Sequence, residues 1–148
     1  MKYFNRLLTL LCILASTTFA YAAKEVTVNA DDTMRFDVSQ IEASAGEPLT
    51  IVLHNVGKLP KAAMGHNLVI LKPGTDVAAF GNAAVGAAGN EYIPQEAPHA
   101  SSVLAHTKLL GPGETDTVTY TFDSPGEYPF ICSFPGHWAL MKGTIVVK

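Results

Sequence analysis

The sequence contains few cysteines and few basic residues. Its 148 residues include two cysteines, and 10 lysines and arginines stand against 13 aspartates and glutamates, for a net charge of −3. No basic patch is visible, which argues against nucleic acid as a partner. Cys12 lies in an N-terminal apolar stretch that we predict below to be a signal peptide, which is removed on export. Cys132 would then be the only cysteine of the exported protein, so no intramolecular disulfide could form. A single cysteine in an exported protein calls for an explanation, such as a reactive thiol or a bound metal.

Long hydrophobic runs are also absent. The apolar stretch Leu7–Ala15 is too short to span a membrane. It follows the basic residues Lys2 and Arg6 and precedes the small-x-small sequence Ala20–Ala22, an order typical of a secretory signal peptide. We therefore expect residues 1–22 to be a signal peptide and residues 23–148 to form one exported domain without a membrane anchor.

The rest of the chain has the pattern of short β-strands separated by glycine and proline. In one segment Val118, Tyr120 and Phe122 have one parity, and threonines have the other. Further strands are predicted at Val26–Val28, Met34–Phe36, Leu49–Leu53, Asn67–Leu71, Glu127–Cys132 and Thr144–Val147. Many short strands with few helices indicate an all-β sandwich.

Two places depart from this pattern. The segment Asp76–Asn90 is rich in alanine and glycine and has apolar residues at helical spacing, so we predict a short helix with Thr75 or Asp76 as its cap. Pro129 lies inside a predicted strand and cannot donate to a ladder, so we expect a bulge or an outward-facing position there. Tyr128, Phe130 and Cys132 should share the inward face of that strand.

Near the C-terminus, three side chains that bind soft metals fall within ten residues: Cys132, His137 and Met141, in the spacing C-x4-H-x3-M. Taken singly, a buried cysteine, a solvated histidine and a core methionine are the commoner situations. Together, with the turn-forming pair Pro135-Gly136 between cysteine and histidine, they indicate a metal site. Thiolate, imidazole and thioether suit copper better than magnesium, calcium or manganese.

A blue-copper site needs two histidines, one cysteine and a weak axial methionine. The C-terminal stretch supplies only one histidine, so the other must come from elsewhere in the chain. His66, in Met64-Gly65-His66-Asn67, is the best candidate. His54, His99 and His106 lack ligand spacing to Cys132 and are expected to be exposed.

These residues resemble the azurins, a family of type 1 blue copper proteins within the cupredoxins. The likeness extends from about Val26 to Lys148 and rests on C-x4-H-x3-M with Lys142–Thr144, on Met64–Asn67, Leu59–Lys61 and Ala105–Leu109. It implies a cupredoxin-like Greek-key β-sandwich with a short helical flap outside it. It also implies one Cu(I)/Cu(II) ion in a type 1 site.

The resemblance also implies roles for single residues. The metal site would consist of His66, Cys132, His137, Met141 as a long axial ligand, and the carbonyl of Gly65. Asn67 would tie the two ligand loops together. Glycine at position 65 would let the backbone approach without a Cβ in the way, and Phe134 would offer a backbone N–H to the cysteine sulfur.

The sequence departs from the azurins in three places. The N-terminal disulfide usual in that family is missing. Asn55 stands where azurins often have a histidine, so a pH switch tied to that histidine is not expected here. Trp138 stands where a small polar residue is usual, and tryptophan is enriched at contact hot spots.

The resemblance implies a monomeric periplasmic protein that carries single electrons between redox proteins, such as a c-type cytochrome or a periplasmic reductase or oxidase. An enzyme is not expected, because Cys132 is flanked by Ile131 and Ser133 rather than by histidines leading to a second copper centre. The alternative is a periplasmic copper carrier or storage protein, which would favour exposed methionine or histidine tracts.

Electrons would enter near His137, through an apolar surface that we call the apolar rim. In azurin-like proteins apolar side chains surround this edge, and the resemblance implies that the members here are Met34, Leu59, Ala63, Met64, Phe134, Pro135, Ala139 and Leu140. Exposed apolar patches of this kind mark interaction sites.

Overall fold

The computed structural model describes residues 23–148. The predicted signal peptide, residues 1–22, lies outside this part of the chain. Among the described residues, no helix is both long and apolar enough to cross a membrane.

The described part contains nine strands, two short helices and three 3-10 turns. The strands are β1 (Lys24–Asp31), β2 (Arg35–Phe36), β3 (Gln40–Ala43), β4 (Pro48–Asn55), β5 (Val69–Leu71), β6 (Val103–His106), β7 (Thr115–Thr121), β8 (Gly126–Ile131) and β9 (Lys142–Val147). The helices are α1 (Lys61–Met64) and α2 (Val77–Ala84), and the 3-10 turns are Val85–Asn90, Ala100–Ser102 and His137–Ala139.

The strands form two sheets, in the orders β2-β1-β4-β7 and β3-β9-β8-β5-β6. Two pairs are parallel, β1 with β4 and β3 with β9, and the other pairs are antiparallel. Alternation in β7 follows the prediction, since Val118 is buried and its threonine neighbours are exposed. The architecture confirms the predicted Greek-key β-sandwich with a short helical flap.

Strand β8 separates two apolar clusters. Tyr128, Phe130 and Cys132 belong to the sandwich core between the sheets, which confirms their predicted common face. Ile131, with the opposite parity, packs with Val69, Leu71, Phe80 and Ile93 on the outer face of the sheet. Both faces of this strand are therefore covered, one by the facing sheet and one by the flap.

The flap begins at α2, where the predicted helix is confirmed. Asp76 caps it, and its carboxylate accepts from the backbone N–H groups of Ala78 and Ala79, each at 3.0 Å. Phe80 is fully buried under the helix. Burial of one such side chain contributes about 1.5–3 kcal/mol to holding the helix on the sheet.

Several expectations need correction. Met34 is not in a strand but adopts a left-handed conformation with φ of 56°, because a turn there reverses the chain between β1 and β2. His54 and His99 are half-buried rather than exposed, and the ring of His99 meets that of Phe80 at 6.1 Å. Of the two alternatives expected at Pro129, the bulge is not found, because the β8·β9 register passes it unshifted. The outward-facing alternative agrees with the structure, because β5 pairs only with Phe130 and Ile131 and Pro129 has a partner strand on one side.

Candidate metal centre

The candidate ligands lie at one end of the sandwich, in loops that the strands bring together. Cys132 follows β8 directly and Met141 precedes β9, so both are at the tip of one hairpin. The Cys132 N–H donates to the Met141 carbonyl at 3.0 Å, which extends the β8·β9 ladder by one step. Both residues are fully buried.

The outer ligand loop, residues 132–141, folds back on itself through short backbone hydrogen bonds. Gly136 adopts φ of 81°, a left-handed conformation that glycine takes without strain. The His137 N–H donates to the Phe134 carbonyl at 3.0 Å, and the Met141 N–H donates to the His137 carbonyl at 2.8 Å. These bonds place the imidazole beside the cysteine, with Nδ1 of His137 3.6 Å from Sγ of Cys132.

His66 reaches the same point from the loop between α1 and β5. Its backbone exchanges two hydrogen bonds with Leu110, at 3.1 and 2.7 Å, in an isolated β-bridge. The side chain is fully buried and both ring nitrogens lack a hydrogen-bond partner among the described residues. Since buried polar atoms are nearly always paired, such an imidazole indicates a missing partner.

One ligand atom from each of His66, Cys132 and His137 lies within 4.8 Å of the others, and all three residues are buried. The structure thus brings together the three strong ligands predicted from the sequence, with Met141 buried beside them. The donor set of two imidazoles and a thiol, with orphaned nitrogens on one of them, fits copper. His66, Cys132, His137 and Met141 are positioned for a type 1 site.

Gly65 contributes to the geometry for a reason the sequence did not reveal. Its carbonyl oxygen lies 4.0 Å from Sγ of Cys132. A Cβ on Gly65 would lie 2.7 Å from the Lys61 carbonyl oxygen and 3.0 Å from Cγ of Leu109. Glycine is therefore required by packing against α1 and Leu109, in addition to the predicted approach of its backbone to the site.

Asn67 ties the two ligand loops together, as expected. Its Oδ1 accepts from the backbone N–H of Ser133 at 2.8 Å, and its Nδ2 donates to Oγ of Ser133 at 2.9 Å. The same Nδ2 donates to the carbonyl of Glu91 at 3.0 Å. This last contact brings the end of the flap into the site, and no local sequence signal predicted it.

Burial sets the protonation of the metal-free site. It raises the pKa of the Cys132 thiol to about 12, while the backbone N–H groups of Asn67 and Phe134 act in the opposite direction. Burial, and then the charge of His66, lower the pKa of His137 to about 4. Burial also lowers the pKa of His66. The backbone of Asp31 and the negative charges of Asp32 and Asp31 act in the opposite direction and raise it. At neutral pH the site therefore holds a thiol and two neutral imidazoles.

The other histidines remain outside the centre. His106 is exposed, and its Nδ1 lies 3.0 Å from the Thr107 carbonyl. Asn55 is buried and its side-chain amide donates to the Leu110 carbonyl at 3.1 Å. It therefore supports the segment that forms the isolated bridge with His66, and it offers no titratable group.

Comparison with known proteins adds to this geometry. The family model described as copper binding proteins, plastocyanin/azurin family, matches residues 20–148. An azurin of Alcaligenes faecalis is 40% identical over 127 residues, which cover 83% of this chain and 97% of the relative.

Two solved structures are similar in fold. An azurin of Methylomonas sp. strain J has a TM-score of 0.73 and 31% identity, with 86% of this chain and 99% of that chain covered. Auracyanin A, a blue copper protein of Chloroflexus aurantiacus, has a TM-score of 0.74 and 29% identity, with 86% and 100% covered.

Proposed function

Because this chain belongs to the plastocyanin/azurin family of copper-binding proteins, we propose that it carries single electrons between redox proteins of the bacterial periplasm. The observation that carries the proposal is the buried cluster of His66, Cys132 and His137, which matches a type 1 site. Copper bound there would supply one-electron chemistry between Cu(I) and Cu(II). The signal peptide predicted at residues 1–22 would export the protein.

The ligand assignment is part of this proposal. His66, Cys132 and His137 would be the strong ligands, Met141 the weak axial ligand, and the carbonyl of Gly65 a distant contact on the other side. The last role is supported by the position of that oxygen, 4.0 Å from the cysteine sulfur. The hydrogen bonds of Asn67 to the neighbouring loop would limit movement of the ligands when the charge of the metal changes.

Absorption and EPR spectra of the copper-loaded protein test the ligand assignment. We expect an intense blue band from thiolate-to-Cu(II) charge transfer and its complete loss in Cys132→Ser, whether or not that variant binds metal. His106→Ala is the control, because it removes an exposed histidine outside the cluster and leaves the thiolate in place. A blue Cys132→Ser protein would refute the assignment.

The partner would dock on the apolar rim. Leu59 and Leu140 are 44% and 58% exposed, and Ala63 and Ala139 are also exposed. Met34, Met64 and Pro135 are half-buried, while Phe134 is 7% exposed and packs against His137 at a ring distance of 4.7 Å. Small apolar interfaces suit transient exchange between redox proteins.

Electron self-exchange separates an electron shuttle from a copper carrier. In mixed Cu(I)/Cu(II) samples we expect rapid electron exchange between the two forms, measured by NMR line broadening. We expect no transfer of metal to an acceptor protein on the same timescale. A charge placed in the rim by Met64→Glu should slow this exchange and leave the blue spectrum unchanged, whereas Glu127→Gln on distant β8 should have no effect. An unchanged rate in Met64→Glu would remove the rim from the mechanism, and metal transfer faster than electron exchange would favour the carrier.

A further inference from the structure

The only tryptophan of the chain occupies a position that does not suit a docking residue. Trp138 follows His137, and the enrichment of tryptophan at contact hot spots made it a candidate contact residue. In the structure it is half-buried and packs against the cluster under the flap, which includes Phe80 and Ile131. The indole is therefore turned toward the protein and is partly withdrawn from any partner.

The indole packs against a glycine in the middle of a helix. An ideal Cβ on Gly81 of α2 would overlap Cδ1 and Cγ of Trp138 and lie 2.7 Å from its Nε1. Glycine inside a helix costs about 1 kcal/mol relative to alanine, so its presence there needs a compensating reason. Room for the indole supplies that reason, since no other residue would let the ring approach the helix backbone.

Two other glycines of the flap show that this close approach is specific. Around Gly86 and Gly89, which follow α2 in the 3-10 turn Val85–Asn90, an added Cβ would meet nothing within 4 Å. Neither has a positive φ. Only one of the three flap glycines is thus in contact with the outer ligand loop.

Trp138 is placed where its movement would reach a proposed ligand directly. It is the central residue of the 3-10 turn His137–Ala139. The carbonyl of His137 accepts from the N–H groups of Leu140 and Met141, at 3.0 and 2.8 Å, across this residue. Displacement of the indole would therefore move the backbone that carries His137 and Met141.

We propose that Trp138, seated on Gly81, is a positioning residue through which the flap fixes His137 in the metal site. The end of the flap also contacts the two loops, because Tyr92 meets Phe134 at a ring distance of 5.0 Å and the Glu91 carbonyl accepts from Asn67. Glu91 and Tyr92 have φ of 55° and 63°, a conformation that surrounding contacts must stabilise. The inference rests on the proposed ligand set.

The test compares glycine-to-alanine substitutions within the same flap. In Gly81→Ala the added methyl group displaces the indole, so we expect a red shift of the single tryptophan's emission in the metal-free protein. In the copper-loaded protein we expect a shifted charge-transfer band and copper release to a chelator that is roughly tenfold faster, the size of effect typical for residues that orient ligands. Gly86→Ala, the matched control, should match the unsubstituted protein in all three measurements.

A second variant keeps the test decisive if Gly81→Ala folds poorly. Trp138→Ser removes the anchor without a clash, and it should also release copper faster. Gly81→Ala combined with Trp138→Ser should behave as Trp138→Ser alone, because the methyl group then meets no ring, and Trp138→Phe should restore most of the original release rate. Wild-type release and an unshifted band in Trp138→Ser would overturn the proposal. A colourless unsubstituted protein would instead refute the ligand set itself.

Discussion

The two histidines of the centre are held in different ways. His66 lies between the buried residues Gly65 and Asn67, and its backbone is paired with Leu110. His137 is 3% exposed and follows the exposed Gly136, in a loop closed by its own turn bonds. One imidazole is thus fixed by the interior of the fold and the other by a surface loop. The proposed metal site therefore lies close to the surface on the side of His137 and is enclosed on the side of His66.

The electrostatic surroundings of the two imidazoles also differ. The carboxylates of Asp32 and Asp31 favour a positive charge on His66 and oppose the effect of burial on its pKa. For His137, burial and the charge of His66 act in the same direction and lower the pKa to about 4. In the metal-free protein the first added proton should therefore go to His66.

The largest expected effect comes from removing either imidazole. His66→Ala and His137→Ala should each lose most of the blue band, because each removes one of the three proposed strong ligands. Added imidazole should restore the band in His137→Ala, whose cavity would open beside exposed Gly136, but not in His66→Ala, whose cavity would be enclosed. An absorption titration with imidazole measures this difference.

His106→Ala is the control for this comparison, because His106 is exposed and outside the cluster. The spectrum of the copper-loaded variant should be unchanged. Equal restoration in both ligand variants would show that the two sides of the site are equally accessible and would contradict the comparison.

A smaller effect is expected from pH in the metal-free protein. The pKa of both imidazoles is lowered by folding, so the unfolded chain binds more protons below about pH 6.5. The free energy of unfolding should fall as the pH decreases from about 6.5 toward 4, where His137 itself becomes protonated. Denaturant unfolding across this range measures the loss, and imidazole NMR signals give the order of protonation.

The pH dependence should be weaker in His137→Ala, which lacks the more strongly shifted group. If His137 took up its proton at a higher pH than His66, the predicted order of protonation would be wrong.

The sequence predicted those parts of the site that depend on short spacing. Cys132, His137 and Met141 lie on one hairpin tip, so their separation along the chain already indicated their proximity. His66 is 66 residues from Cys132, and it was identified through its motif and the likeness to azurins. The helix at Val77–Ala84 was predicted because its cap and its apolar spacing are both local features.

Contacts between distant segments could not be predicted in the same way. The seating of Trp138 on Gly81 joins a loop to a helix, and neither residue carries a local signal for the other. A glycine inside an apolar helical pattern was the only hint, since it lacks an obvious conformational reason there. The left-handed turn at Met34 was missed for a related reason, because alternation of apolar residues also occurs where the chain reverses.

The smallest expected effect concerns Met141, whose backbone bonds both Cys132 and His137. Its carbonyl accepts from Cys132 and its N–H donates to His137, so the loop is held whatever side chain stands there. Met141→Leu keeps nearly the same buried volume and should cost less than about 1.5 kcal/mol of stability. In the proposed site the thioether is a weak axial ligand that favours Cu(II) slightly, so its loss should raise the potential while the protein remains blue. A tenfold change in relative affinity corresponds to about 59 mV for one electron, and a voltammetric shift of that order is expected. If Met141→Leu abolished copper binding while the metal-free protein stayed folded, Met141 would be a primary ligand, and the two imidazoles and the thiolate would not suffice to hold the metal.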